Sequence, residues 1–326
     1  MAIYAVAGSP QAQNKHTADL NRRKGREHDG RGQQMLIAQI SDLHCRDADA
    51  PAMLGNDNNL NIARAVVRLN NFSPRPDIVL ATGDLTSGGR PEQYGALAEL
   101  LAPLEIPLYL LPGNHDAYGP MMDTFAGQYG LVDDGYEYVR TVIDDGPLRL
   151  VGLDTSVADH HHGAIPEDRI QWLNEVLSFE PEKPTLIFMH HPPFETGIWW
   201  MDSIGILEGL SCLAKVLNNH PQIVGMTAGH LHRTIHATFA GIPVTVAPTT
   251  CYAVDLDIHD EAPPKVTEEP PAMLLHYWHA DILVSHTVFL DAHETHDIRE
   301  LIADWPRRLE RMRQRQPLPK ALGMIE

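Results

Sequence analysis

Ile78-Val-Leu-Ala-Thr-Gly-Asp84 is an apolar run that opens on two β-branched residues and closes on a glycine and a carboxylate. It reads as a short buried strand. Gly83 permits a sharp turn, and Asp84 then stands at the C-terminal mouth of the strand, where open α/β sheets bind ligands. One such carboxylate means little. Four other strand-like runs end in the same way: 36–40 into Ser41-Asp42-Leu43-His44, 108–111 into Gly113-Asn114-His115-Asp116, 185–189 into His190-His191, and 223–227 into Gly229-His230-Leu231-His232. These ends present Asp42, His44, Asp84, Asn114, His190, His230 and His232, oxygen and imidazole donors with no thiolate. Such a set suits divalent first-row metals such as Mn, Fe or Zn. It points to a two-metal hydrolytic site.

Working outward, the chain alternates strand and helix from residue 36. Helices are expected over 60–71, from Pro91 to 101, over 166–177 and over 206–217, with a hairpin over 137–155 turning at Asp145-Gly146. This alternation is the signature of an α/β fold with a largely parallel sheet. Beyond His232 the period switches to two, giving antiparallel strands at 234–239, 242–247, 273–278 and 282–290. Residues 259–271, rich in Pro and Glu, read as a mobile loop. Residues 1–34 show no periodicity and read as a disordered extension; a chain beginning at Met35 would lose no candidate ligand. The catalytic domain is expected over 35–293 and a charged helical tail over 294–326.

The chain has 326 residues, 43% of them hydrophobic, and a net charge of −18. The first 34 residues carry six Lys/Arg against three Asp/Glu, so the remainder holds −21. So acidic a body argues against a grip on extended nucleic acid, which rests on cationic contacts to phosphate. Bound metal cations would still admit a small phosphorylated substrate. Cys45, Cys212 and Cys251 form neither a C-x-x-C pair nor an even set, so a reducing compartment, the cytoplasm, is expected. No apolar run is long enough for a membrane span.

The ordered blocks Asp42-x-His44, Gly83-Asp84, Gly113-Asn114-His115-Asp116, His190-His191-Pro192-Pro193 and Gly229-His230-x-His232 resemble the calcineurin-like binuclear metallophosphoesterase family. The likeness is greatest to its class III cyclic-nucleotide phosphodiesterase and glycerophosphodiesterase branch. Asp154-Thr-Ser-Val-Ala-Asp-His-His-His-Gly163 and Ala237-Thr-Phe-Ala-Gly-Ile-Pro243 extend it, over residues 36–290 in all. The resemblance implies a four-layer αββα sandwich of two mixed sheets with the metal site at strand C-terminal ends. It implies one ion held by Asp42, His44, Asp84 and His232, and a second held by Asp84, Asn114, His190 and His230, with Asp84 bridging. Within Asp42-x-His44 and His230-x-His232, a spacing of two in extended chain puts both side chains on one side.

The same resemblance implies attack by a metal-bound hydroxide on a small phosphodiester, a 3′,5′-cyclic nucleotide such as cAMP or a glycerophosphodiester. His115 would be the catalytic residue, contacting the phosphoryl group and protonating the leaving alkoxide. Asn114, His115 and His161 would bind substrate, and Asp116 would orient His115 or cap the next helix. Two divalent ions are expected, Fe or Mn first and Zn or Co as alternatives, in a homodimer. Trp199 and Trp200 are candidates for the pocket rim or the subunit contact, and Cys251-Tyr252 for the rim. Rival readings are a broad phosphomonoesterase or nuclease of the same fold, and a non-catalytic metal-binding scaffold.

Overall fold

The first strand, β1 (Met35–Ile40), is buried along its whole length because it is covered on both faces. The computed structural model describes residues 34–52, 55–291 and 293–318. Apart from Gln34, the expectation of disorder over 1–34 lies outside the described residues. From β1 the chain continues through α1 (Asn58–Asn70), β2 (Ile78–Thr82), α2 (Pro91–Leu101), β3 (Leu108–Leu111) and α3 (Tyr118–Phe125). The Asp57 side chain accepts the Leu60 N–H to start α1, and Ile62, Ala65, Val66 and Leu69 form its buried face. Pro91 opens α2, where its missing N–H costs nothing. Strands β1, β2 and β3 pair in parallel, as the alternation requires.

The expected hairpin is β4 (Arg140–Ile143) with β5 (Arg149–Leu153). Next come β6 (Gly163–Ala164), α4 (Glu167–Phe179), β7 (Thr185–Met189), the single turn α5 (Trp199–Asp202), β8 (Ile206–Glu208), α6 (Leu210–Asn218) and β9 (Ile223–Ala228). The period-two region supplies β10 (Ile235–Phe239), β11 (Ile242–Val246), β12 (Ala253–Val254), β13 (Val266–Thr267), β14 (Ala272–His279) and β15 (Ile282–Phe289).

Two mixed sheets result, ordered β15-β14-β1-β2-β3 and β10-β11-β9-β7-β5-β4. Alternation along single strands shows how they stack. Leu150, Leu186 and Phe188 join one core with the first sheet and with α1, α2 and α3. Their neighbours Val151, Leu153, Ile187 and Met189 join a second core with Ile170 and Leu173 of α4 and Leu213 of α6. Strands β5 and β7 thus present one face to the other sheet and the opposite face to helices, which accounts for their unbroken apolar runs. The layers are helices, sheet, sheet, helices.

Four expectations need correction. The helix foreseen from residue 206 starts at Leu210, because Ile206–Glu208 pairs with β6 and Gly209, at φ 92°, breaks the run. The stretch 259–271 is tied down in part, since β13 pairs with β12 and Lys265 Nζ reaches Asp257 at 3.0 Å. Asp116 does not cap α3, whose N-cap residue is Ala117. Past Leu290 the chain forms a second compact unit. Its described part is a 3-10 turn (Arg299–Leu301) and α7 (Trp305–Arg313), not one helix, with Asp304 left-handed between them. No helix among the described residues is long and apolar enough to cross a membrane.

Candidate metal centre

The seven expected donors converge in one place, although they come from both sheets. Asp42, His44, Asp84 and Asn114 follow strands of the first sheet, and His190, His230 and His232 follow β7 and β9 of the second. His44 Nε2 lies 3.4 Å from Asp84 Oδ2, and His190 Nε2 lies 3.3 Å from Asp84 Oδ1, so one carboxylate faces both groups. On one side His232 Nε2 is 3.1 Å from His44 Nε2 and 3.4 Å from Asp42 Oδ1. On the other, Asn114 Oδ1 is 3.1 Å from His190 Nε2 and 3.0 Å from His230 Nδ1.

The loops that carry these residues are strained. Asp42, His44, Asp84, His230 and His232 all have positive φ, between 43° and 71°. A left-handed non-glycine residue costs about 1–3 kcal/mol, and such residues gather at functional sites. The extended-chain argument for the pairs two residues apart therefore fails: each pair is aimed by tight turns. Those turns are stitched together by backbone, with Asp42 N–H on Gly83 O at 3.1 Å, His44 N–H on Asp84 O at 2.8 Å, and Gly229 N–H on His190 O at 2.9 Å. His230 N–H donates across the sheets to Asp42 Oδ1 at 3.0 Å. Gly113 is needed for close approach, since a Cβ there would meet Asp84 N and Oδ1 at 2.3 Å.

The donor set fits cations and little else. His190 Nδ1 sits 2.8 Å from the Thr82 carbonyl, and His232 Nδ1 sits 2.8 Å from the Tyr252 carbonyl. Carbonyl oxygens only accept, so both rings carry a proton on Nδ1 and turn the Nε2 lone pair inward. Asn114 points its Nδ2 at His161 Nδ1, 3.0 Å away, which aims its carbonyl oxygen inward too. The His190 Nε2 lone pair thus faces Asn114 Oδ1 at 3.1 Å and Asp84 Oδ1 at 3.3 Å, and the His232 Nε2 lone pair faces Asp42 Oδ1 at 3.4 Å. That spacing matches the edges of a coordination shell with bonds of about 2.0–2.2 Å. Without a metal only protons relieve the repulsion. Burial opposes a charge on His190, yet the Asp84 carboxylate outweighs it and holds the ring up at about 9. His232, equally buried, is held up at about 10 by the Cys251 sulfur and the Asp42 carboxylate. Fully buried His230 leaves its Nε2 without a partner.

His115 lies at the edge of this group and is partly exposed. Its Nδ1 faces the Ser87 carbonyl at 3.1 Å, and its Nε2 lies 4.0 Å from Asp84 Oδ2. The His161 ring sits 5.0 Å from the His115 ring, centre to centre. Of the three loop histidines, His161 is thus the one brought to the site, while the His160 and His162 rings pair with each other. His191 packs beside His190 and His230, ring centres 4.8 and 4.5 Å away, but both its nitrogens are engaged elsewhere: Nδ1 meets Thr155 Oγ1 at 2.9 Å and Nε2 the His161 carbonyl at 3.1 Å. Burial and the neighbouring His190 push it down to about 3, so it anchors the His161 loop as a neutral ring.

Asp116 has a role that its place in the sequence concealed. Its carboxylate accepts the N–H groups of Leu85 (2.9 Å), Thr86 (3.1 Å) and Gly113 (2.9 Å), and the Tyr94 hydroxyl at 3.0 Å. It therefore locks the loop after β2 to the loop after β3. Tyr252 stacks beside His44, ring centres 6.2 Å apart, and forms a wall of a cleft of about 300 Å³ with Asn56, Thr267, Glu268 and Glu269. The tryptophan pair is split: Trp199 is 50% exposed, whereas Trp200 packs on the second core. Sequence reasoning missed Gln39, Ser87 and Thr249, polar residues that serve backbone and neighbours. A lone amide inside the apolar run 36–40 was the one available signal.

Residues 35–234 match the family model described as calcineurin-like phosphoesterase. The chain is 33% identical over 261 residues to the probable glycerophosphodiester phosphodiesterase GpdQ of Arcobacter nitrofigilis, covering 80% of this chain and 95% of that one. It is 30% identical over 217 residues to the 3′,5′-cyclic adenosine monophosphate phosphodiesterase CpdA of Pseudomonas aeruginosa, covering 67% and 76% of the two chains. Among solved structures, a dimetal phosphatase from Danio rerio superposes with a TM-score of 0.58 at 17% identity, over 79% of this chain and 96% of that one. At that identity the likeness concerns the fold.

Proposed function

The chain belongs to the calcineurin-like phosphoesterase family, and we propose that this metal-dependent phosphodiesterase acts on small diesters, with Asp42, His44, Asp84, Asn114, His190, His230 and His232 holding two divalent ions. One observation carries the ligand assignment: the inward-facing Nε2 lone pairs of buried His190 and His232 meet oxygen lone pairs of Asn114, Asp84 and Asp42, in both halves of the centre. When bound, two such ions supply Lewis-acid activation of the phosphoryl group and of water. Nitrogen and oxygen donors without thiolate suit manganese, iron or zinc, and manganese or iron is placed first.

The chain's own residues do the rest. Asp84 offers one oxygen to each side. His190 and His232 are oriented by carbonyls and keep their lone pairs available whatever happens at the phosphorus. His115 stands outside the ligand set with Nε2 toward it, and as an imidazolium it would deliver a proton to the departing alkoxide. His161, anchored through His191, closes the opposite side over Asn114. The cleft beside Tyr252 would take the alcohol portion of the diester, and Glu268 and Glu269 on its wall disfavour a second anionic group there. This supports a small diester over a polynucleotide. A homodimer with the exposed Trp199 near the contact, and a cytoplasmic setting consistent with three free cysteines, complete the reading.

Comparison of kcat/KM for glycerophosphoethanolamine, 3′,5′-cAMP, 2′,3′-cAMP and bis(p-nitrophenyl) phosphate, with Mn²⁺ supplied, tests it. Diester turnover well above that of p-nitrophenyl phosphate is expected. A preference for the monoester would overturn the reading.

A further inference from the structure

Because the donors come from two sheets, something must fix one sheet against the other, and backbone alone does so only at the loop ends. Behind the centre, the Gln39 side chain on β1 is fully buried in the sandwich interior. Its Nε2 donates to Thr82 Oγ1 on β2 at 2.8 Å and to the Ala228 carbonyl on β9 at 3.1 Å. Its Oε1 accepts from His276 Nε2 on β14 at 2.9 Å and from Thr227 Oγ1 on β9 at 2.5 Å, a hydroxyl whose one proton is shared with the Thr245 carbonyl at 2.9 Å. Both donors and both acceptor sites of the amide are used, two toward each sheet. His276 is fixed in turn by Ser285 Oγ, 2.7 Å from its Nδ1. The protons run one way along this chain: Ser285 to His276, His276 to Gln39, Gln39 to Thr82, and Thr82 to Ser41 Oγ at 2.8 Å.

The position of the clamp matters more than its presence. Gln39 lies three residues before Asp42, and Thr227 and Ala228 lie three and two residues before His230. The amide therefore joins two of the ligand-bearing strands, β1 and β9, immediately upstream of the turns that aim their donors. Buried polar groups so completely satisfied specify one arrangement of their surroundings, and apolar packing alone would let the sheets slide by fractions of an ångström.

We infer that Gln39 is a positioning residue for the centre: its amide sets the separation between donors of the first sheet and those of the second, and so the affinity for the paired ions. This rests on the two-ion reading given above. Holding ligands in place from outside the coordination shell is typically worth ten- to a hundred-fold in metal affinity.

The test is Mn²⁺ binding by the chelated full chain, read as stoichiometry, affinity and the spin-coupled electron paramagnetic resonance signal of neighbouring Mn²⁺ ions. In Gln39→Leu, and in Thr227→Val, which removes one hydroxyl without changing shape, the weaker-bound Mn²⁺ should lose affinity by about tenfold and the coupled signal should change or vanish. Thr227→Ser should restore both. Thermal melts of the metal-free proteins report folding; if Gln39→Leu does not fold, the Thr227 pair decides. Wild-type binding and coupling in Thr227→Val, or Thr227→Ser behaving like Thr227→Val, overturns the inference. Fewer than two ions in the wild-type protein overturns the two-ion reading, and the inference with it.

Discussion

His115 touches Asp84 twice: its backbone N–H donates to Oδ1 at 2.9 Å, and its ring Nε2 lies 4.0 Å from Oδ2. The carboxylate that faces both halves of the centre is thereby tied to a histidine that stands outside the ligand set. The backbone contact survives any change of the His115 side chain, so the two residues can be probed separately.

For Asp84→Ala, both halves of the centre lose an oxygen donor. Metal content by elemental analysis should fall below one ion per chain, and turnover should be nearly abolished. Two ions per chain at the wild-type rate would exclude Asp84 from the site. Exhaustive chelation of the wild-type protein should give the same loss, reversed by added Mn²⁺.

For His115→Ala, metal content should be unchanged, while kcat on alkyl diesters falls by about 10²–10⁴. The loss should shrink on bis(p-nitrophenyl) phosphate, whose leaving group needs little protonation. Equal losses on both substrates would leave phosphate positioning, not proton delivery, as its role.

For Asp116→Asn, one carboxylate oxygen becomes an amide that faces N–H groups it cannot accept. With buried donors left unpaired, urea denaturation should show a loss of about 3 kcal/mol. Activity should fall as well, since the loops bearing Asp84 and Asn114 lose their common anchor.

His276 makes stability depend on pH in a window that can be assigned in advance. Burial pushes the ring down to about 4 from an ordinary 6.5. Between those values the unfolded chain binds a proton that the folded chain refuses, so stability falls as the pH drops from 6.5 and levels off below about 4. The full effect is on the order of 3 kcal/mol. Urea midpoints of chelated wild-type and His276→Gln protein at pH 4.5 and 7.5 should show a steeper acid loss in the wild type. Parallel losses would remove His276 as the cause.

The candidate centre was legible because each donor ends an apolar run, and such runs name themselves. The core strands β2, β5 and β7 were legible for the same reason. What stayed hidden depends on separate strands and loops meeting. Neither the left-handed turns at Asp42 and Asp84, nor the cross-loop lock at Asp116, nor the Gln39 amide has a local signature, because each answers a partner far along the chain. His161 was singled out from its neighbours in the sequence, but the physical reason, His191 holding its carbonyl, needed the structure. The helix expected from Ile206 failed through the same blindness: β6, the strand that captures it, is only two residues long.

The first sheet is completed by the last strands, since β14 lies directly against β1. Gln39 and His276 are 237 residues apart. At about 5–20 residues per second on the ribosome, β1 waits on the order of 10–50 s for that neighbour. During synthesis its free edge and apolar faces are open to other nascent chains. Production yield should therefore respond to translation speed and chaperone supply more than the finished protein's thermal stability would suggest.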